Sequence, residues 1–232
     1  MNVAVVVATY NERDNLPGLM EAILQNPGYR VIVVDDNSPD GTGQIADSFA
    51  ARMPDRVVVI HRTGPRGLGR SLIEGMQRAL TEGADLIFEM DADWSHDPKY
   101  LPDLAAAAQD ADLVIGSRYL QGVSVVNWPL RRIILSTFAN QYIRQITGMS
   151  IHDCTSGYRC WRSECLSKIH LGSVISEGYA FLVETLYAAS KLGCRVREVP
   201  IIFVERRLGA SKVSSTVLIE SMIVPWRLRL RR

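Results

Sequence analysis

Four short apolar runs constrain the fold of this chain more than any other feature: Val3–Ala8, Tyr29–Val34, Val57–Ile60 and Leu86–Met90. They are rich in β-branched and aliphatic residues and have the length of single strands. Helical segments lie between them. Asp14-Asn15-Leu16-Pro17 opens the first, with Asn15 as a cap and proline in the first turn. A second follows the polar turn Asp35–Thr42 and reaches about Met53, and a third runs from Gly67-Leu68-Gly69 to Glu82. Strand and helix in strict alternation require right-handed crossovers. The spacing therefore predicts an α/β fold with a mainly parallel central sheet.

In such a sheet, ligands gather beyond the carboxyl ends of the strands. The fourth run ends there in Met90-Asp91-Ala92-Asp93-Trp94-Ser95. Alternate residues of an extended chain point the same way, so Asp91 and Asp93 reach a common point. Two close carboxylates repel each other unless a cation lies between them. Hard oxygen ligands of this kind suit Mg²⁺ or Mn²⁺, shared with substrate phosphates. A solvated acidic loop is the other reading of the same residues.

The second half changes style near Tyr119. Leu113–Gly116 is a short strand leading to Arg118, and Trp128-Pro129 opens a helix to about Thr147. Its apolar residues Leu130, Ile134, Phe138, Tyr142 and Ile146 recur at steps of four, a stripe that suits either a core or a membrane interface. Arg132 and Ser136 are also four apart and share a face. A polar loop, Cys154–Arg159, leads toward another strand; Tyr179–Lys191 reads as helix and Arg195–Phe203 as strand segments around Pro200. No linker or repeat interrupts the chain. Residues 1–232 are expected to form a single domain, whose two halves, 1–118 and 119–232, meet at this change of style.

Charge and cysteines narrow the setting. A net charge of +1 makes no general case for nucleic acid. The four cysteines form no Cys-x-x-Cys pair, and no basic leader precedes the first strand, which together favour a reducing cytoplasm. No apolar stretch reaches the ~20 residues that span a bilayer.

Several motifs carry a family resemblance. Val7-Ala8-Thr9-Tyr10-Asn11-Glu12, Val34-Asp35-Asp36-Asn37-Ser38-Pro39-Asp40-Gly41-Thr42 and Met90-Asp91-Ala92-Asp93 resemble the donor-binding motifs of family-2 glycosyltransferases. Asp153-x-Thr155-Ser156-Gly157-Tyr158-Arg159 and Phe203-x-x-Arg206-x-x-Gly209-x-Ser211-Lys212 are similar to the dolichyl- or polyprenyl-phosphate mannosyltransferase branch. The resemblance implies a GT-A fold, Rossmann-like in its nucleotide-binding part. It implies inverting transfer of mannose from GDP-mannose to a polyprenyl phosphate. Ala8, Tyr10, Glu12, Val34 and Asp36 would meet the nucleoside. Asp91, Ala92 and Asp93 would hold the diphosphate through Mg²⁺ or Mn²⁺, with Ser95 as a third metal ligand. Arg206 and Lys212 would close over the donor phosphates, and Arg118, Arg132 and Ser136 would hold the acceptor phosphate. Asp91, Asp93, Arg118, Arg206 and Lys212 are the implied catalytic set. The chain departs from the family at Ala8, where proline is usual, and at Ser95, where some members have glutamine. Other members continue into transmembrane segments.

The chemistry agrees with that division of labour. A hydroxyl acceptor needs a general base, whereas a phosphate monoester, with a second pKa near ~6, does not. Arginines matter more for such an acceptor than any carboxylate, and Asp153 is expected to orient rather than to accept a proton. A lipid acceptor places the enzyme peripherally on the cytoplasmic face of a membrane. The helix after Trp128 and the tail Trp226–Arg232 are the candidate contacts, alone or with an anchoring partner protein or domain. Competing readings are a related transferase using UDP-glucose, a non-catalytic scaffold subunit and a sugar nucleotidyltransferase. The last would carry a Gly-rich Arg-Lys signature where this chain has Thr9-Tyr10-Asn11-Glu12.

Overall fold

A computed structural model describes residues 1–174, 176, 178–205 and 215–230. The four apolar runs form β1 (Val3–Thr9), β2 (Tyr29–Asp35), β3 (Val57–His61) and β4 (Leu86–Asp91). They are joined by α1 (Leu16–Leu24), α2 (Thr42–Arg52) and α3 (Leu68–Thr81). After β4 come α4 (Leu101–Ala107), β5 (Leu113–Ser117), β6 (Val125–Val126) and α5 (Leu130–Thr147). β7 (Arg159–Arg162), α6 (Ser163–Leu166), α7 (Gly178–Lys191), β8 (Val196–Pro200), β9 (Phe203–Val204) and α8 (Ser215–Leu230) follow.

Seven strands form one sheet in the order β3-β2-β1-β4-β7-β5-β8, and β6 pairs with β9 beside it. All neighbours in the large sheet are parallel except β7, which runs antiparallel to both β4 and β5. The α/β class with a mainly parallel sheet is as expected, in one domain. Period-two alternation divides the core. Val3, Val5 and Val7 pack under α1, α2 and α4, while Ala4 and Val6 pack under α3 and its neighbours.

Three features decide where the site lies. The strand order reverses between β1 and β4, where Ala8 pairs with Asp91. Such a reversal opens a crevice at the carboxyl edge. Because β7 is antiparallel, the loop preceding it arrives at that same edge. Finally, Asn11, Asn37 and Trp94 adopt φ of 56°, 59° and 65° just beyond β1, β2 and β4. The left-handed region is tolerated by asparagine and uncommon for a bulky residue, so the turn at Trp94 is a strained one.

Some expectations change. Asn15 does not cap α1, because its amide donates to Glu12 Oε2 at 2.8 Å. The apolar stripe of α5 does not face the core; Leu130, Ile134, Leu135 and Phe138 are exposed, and Asn140, Ile143 and Thr147 are the buried positions. Cys165 and Cys194 form a disulfide, a pairing of which the cysteine spacing gives no sign. The return of α7 brings the two together across 29 residues. Cys154 and Cys160 are free and buried.

α3 approaches the sheet closely at Gly75. A Cβ there would stand 2.4 Å from Val6 Cγ1 and 2.9 Å from Val34 Cγ2. Gly75→Ala should therefore cost about 2 kcal/mol of unfolding free energy despite the better helix propensity of alanine. Urea denaturation of the two proteins measures it, and equal midpoints would show that α3 can move away.

Candidate active site

A cavity of about 610 Å³ opens at the carboxyl edge of β1, β2, β4 and β5. β1 brings Ala8, Tyr10 and Glu12 to its wall, and the end of β2 brings Asp36. Asp91, Ala92, Asp93 and His96 come from the end of β4, and Arg118 from the end of β5. Trp128 and Arg132 stand at the start of α5, Thr155 and Gly157 before β7, Tyr179 and Leu182 on α7, and Phe203 on β9.

The carboxylates differ in setting. The Asp91 side chain is 41% exposed, while Asp93 is buried and accepts the Ser95 hydroxyl at 2.5 Å and the Ser95 amide at 3.1 Å. The left-handed turn at Trp94 folds Ser95 back onto Asp93. The Asp91 amide donates to His96 Nδ1 at 2.9 Å, so the imidazole is an acceptor on that side. Burial pushes the His96 pKa below its ordinary value, outweighing Asp91 and Asp93 nearby. His96 is thus a neutral ring stacked on Tyr158 at 4.9 Å.

At the end of β2, the Asp36 carboxylate pairs with Arg62 and accepts the Gly67 amide at 2.8 Å. This fixes the turn before α3 and sets Arg66 over the Tyr10 ring at 4.6 Å, with a hydrogen bond to the Tyr10 hydroxyl. Arg66, Gly67 and Leu68 line the cavity. Sequence reading passed over Arg66; an Arg-Gly pair at a strand-to-helix turn was the available signal.

Across the cavity, Arg118 and Asp153 form a buried bidentate pair. Arg118 Nε and Nη2 donate to Asp153 Oδ2 and Oδ1 at 2.7 Å each, and the Arg118 amide donates to Oδ2 at 3.0 Å. Burial opposes both charges, yet their mutual field and hydrogen bonds win. Arg118 is held above its ordinary pKa and Asp153 below the usual carboxylate range. Asp153 is in turn held by Glu198, which accepts the Asp153 amide at 2.9 Å and the Ser117 hydroxyl at 2.6 Å. Arg132 stacks on Trp128 at 3.9 Å and pairs with Glu205.

Three assigned residues do not reach the cavity. Val34 is buried in the core beneath α3. Ser95 is turned toward Asp93 and makes a support for that carboxylate, not a third ligand on the wall. Ser136 accepts a hydrogen bond from the Tyr119 hydroxyl at 2.7 Å, away from the lining. Arg206 and Lys212 lie outside the described residues.

The donor set at Asp91 and Asp93 is two carboxylates, and among the described residues no cluster of three His, Cys, Asp or Glu completes an all-protein metal site. Two protein oxygens, with the rest of the shell left to phosphate and water, fit the coordination habits of Mg²⁺ or Mn²⁺.

Known proteins resemble this chain in sequence and in fold. The sequence profile described as Glycosyl transferase family 2 matches residues 4–169. A polyprenol monophosphomannose synthase of Mycolicibacterium smegmatis is 47% identical over 231 residues, covering 98% of this chain and 87% of that protein. An undecaprenyl-phosphate mannosyltransferase of Micrococcus luteus is 44% identical over 227 residues, covering 96% of this chain and 92% of that one. Among solved structures, glucosyl-3-phosphoglycerate synthase of Mycobacterium tuberculosis, in complex with Mn²⁺, UDP and glucosyl-3-phosphoglycerate, superposes with a TM-score of 0.68. It is 18% identical and covers 98% of this chain and 79% of its own. That likeness is one of fold, the GT-A fold.

The buried pair yields a stability prediction. Asp153→Asn leaves Arg118 charged and unpaired, at a cost of about 3 kcal/mol near neutral pH. The folded pKa of Asp153 is below its ordinary 3.8, so its contribution is complete above that value and is lost as pH falls through the folded pKa. The gap between wild type and variant in urea melts should therefore narrow in strong acid. A gap that stays constant down to unfolding would contradict the pair.

Proposed function

The chain belongs to glycosyl transferase family 2, and on that premise we propose that it moves mannose from GDP-mannose to the phosphate of a polyprenyl phosphate, with inversion. The mannosyl-lipid synthases among its relatives support the transfer, at identities high enough to carry a reaction class. One observation carries the acceptor chemistry. Asp153, beside the acceptor wall, is buried in a bidentate pair with Arg118, so it does not stand ready to take a proton from a hydroxyl. An acceptor that arrives already ionised needs no base.

In this reading the nucleotide lies over Ala8, Tyr10 and Glu12, with Asp36 acting through the turn that presents Arg66. Asp91 and Asp93 hold a divalent cation. When bound, it offsets the charge that develops on the leaving diphosphate. Arg118 and Arg132 orient the acceptor phosphate, one of whose oxygens attacks the anomeric carbon as the bond to the diphosphate breaks. The electron pair of that bond leaves with GDP. Arg206 and Lys212 are assigned to the donor phosphates by resemblance. A donor panel tests the reading directly. Labelled GDP-mannose should give labelled lipid phosphate, Asp91→Asn should lower kcat by at least about a hundredfold, and EDTA should reproduce that loss. Transfer from UDP-glucose in its place would establish the alternative donor, and full activity in excess EDTA would remove the cation.

The acceptor tail points to a membrane surface, and the protein is proposed to work peripherally on the cytoplasmic face. No helix among the described residues is long and apolar enough to cross a bilayer. The exposed stripe of α5 begins one turn from Trp128 and Arg132, and α8 lies against it, with the Trp226 indole donating to the Tyr142 hydroxyl at 3.0 Å. Met222, Ile223, Trp226 and Leu230 extend the apolar surface, and Arg131 and Arg229 stand exposed with it. Arg231 and Arg232 lie outside the described residues. Leu228 packs in the core, so deleting the tail would disturb the fold as well as the surface. Substitution of exposed positions is the cleaner test. Leu135→Ser with Phe138→Ser should reduce sedimentation with anionic liposomes several-fold and leave transfer to a short soluble acceptor intact. Undiminished sedimentation would assign the contact to another surface or to an anchoring partner.

A further inference from the structure

Two arginines face the acceptor side of the cavity, and their carboxylate partners differ in kind. Arg118 and Asp153 are 5% and 0% exposed, and Asp153 is locked by Glu198 from behind. Arg132 and Glu205 are 31% and 26% exposed. Arg132 is also held by the face of Trp128, so its plane is set without Glu205. Glu205 is fixed through its backbone, whose amide donates to Val126 O at 3.1 Å, leaving the side chain able to swing into solvent.

Resting on the acceptor reading above, we propose that Glu205 sets acceptor affinity by occupying Arg132 in place of the acceptor phosphate, so that binding exchanges one anion for another. A carboxylate and a phosphate each present two oxygens to the guanidinium fork. A partly exposed pair of this kind is weaker than the buried one, and Glu205 regains its hydration when displaced. The buried pair cannot exchange in this way, because opening it strands two charges in the core. Arg118 thus provides a permanent cation and Arg132 one that is on loan to Glu205. The exchange has a use after transfer. The product is a phosphodiester with one charge fewer than the substrate monoester, so it starts weaker. The same competition from Glu205 then hastens its departure.

Equilibrium binding of a short water-soluble polyprenyl monophosphate to the full chain at low salt tests this without any donor. Calorimetry on wild type, Glu205→Gln and Arg132→Ala, with the uncharged polyprenol as control, gives the comparison. Glu205→Gln should bind the monophosphate about twofold to fivefold more tightly, the range an exposed pair allows, and Arg132→Ala should bind it more weakly. Neither change should alter binding of the alcohol. A residue serving only to brace Arg132 would weaken binding when changed, so equal or weaker affinity in Glu205→Gln overturns the exchange while a weakened Arg132→Ala upholds the acceptor site. If Arg132→Ala binds like wild type, the acceptor assignment itself falls, and the exchange with it. Tighter binding of the alcohol by Glu205→Gln would show a packing effect and would also overturn it.

Discussion

The ion pair between Arg118 and Asp153 joins the two halves of the molecule, and much of the cavity takes its shape from it. One partner follows β5 and the other precedes β7, so the pair closes the gap between a parallel strand and the antiparallel strand inserted beside it. Two charges out of water are costly, and their attraction repays this only where every lone pair is used. Here part of the remaining capacity is filled. Arg118 Nη2 also donates to the Thr155 hydroxyl at 2.8 Å, and Asn140 donates to the same hydroxyl at 3.2 Å. The pair is therefore a rigid element that offers one fixed cation to the cavity.

This rigidity divides labour around the site. At the end of β2, Asp36 is spent on a turn, so the groups presented to the cavity there are those the turn carries, Arg66 among them. Across the cavity, Glu198 holds Asp153, which holds Arg118, a chain of three residues running inward from β8. Where Asp91 stands, the wall is left open. An exposed carboxylate beside a buried, buttressed one suits a cation that comes and goes with its nucleotide, since neither excessive desolvation nor a closed cage impedes it.

How much of this was legible in the sequence follows from the range of each signal. β1 to β4 and their helices were readable because apolar periodicity is local and the crossover rule is strong. Asp91 and Asp93 were readable for the same reason, being at a strand end. β7 was only a possible strand, and its direction was not readable, since nothing local distinguishes a strand inserted antiparallel between β4 and β5. That one reversal brings Asp153, Thr155 and Gly157 to the site. Val34, Ser95 and Ser136 were placed by spacing and resemblance, but strand alternation, a left-handed turn and a tyrosine partner redirect them. On α5 the apolar steps of four were real, and their direction depended on Asn140, whose three hydrogen bonds to Cys154, Ser136 and Thr155 make the polar face the inner one.

Beneath Asp91 the same logic explains an otherwise awkward carboxylate. Glu89 and Arg159 face each other across β4 and β7, both fully buried, with Nε to Oε1 at 3.6 Å. Arg159 spends its donors elsewhere, on Ser156 O at 2.8 Å, Cys154 O at 3.2 Å and the Thr185 hydroxyl at 3.1 Å. It serves the loop that carries Asp153 and Thr155. Among the described residues, Glu89 keeps one hydrogen bond, from the Trp161 indole at 3.1 Å, and its Oε2 has no partner. Burial consequently pushes Glu89 up to about 7, against the opposing pull of Arg159. Nε, Nη1 and Nη2 of Arg159 each donate to one of those acceptors, and Glu89 stands beyond hydrogen-bond distance at 3.6 Å. The loop takes priority over the carboxylate, and the cavity wall that it forms with Arg118 stays in place because of it.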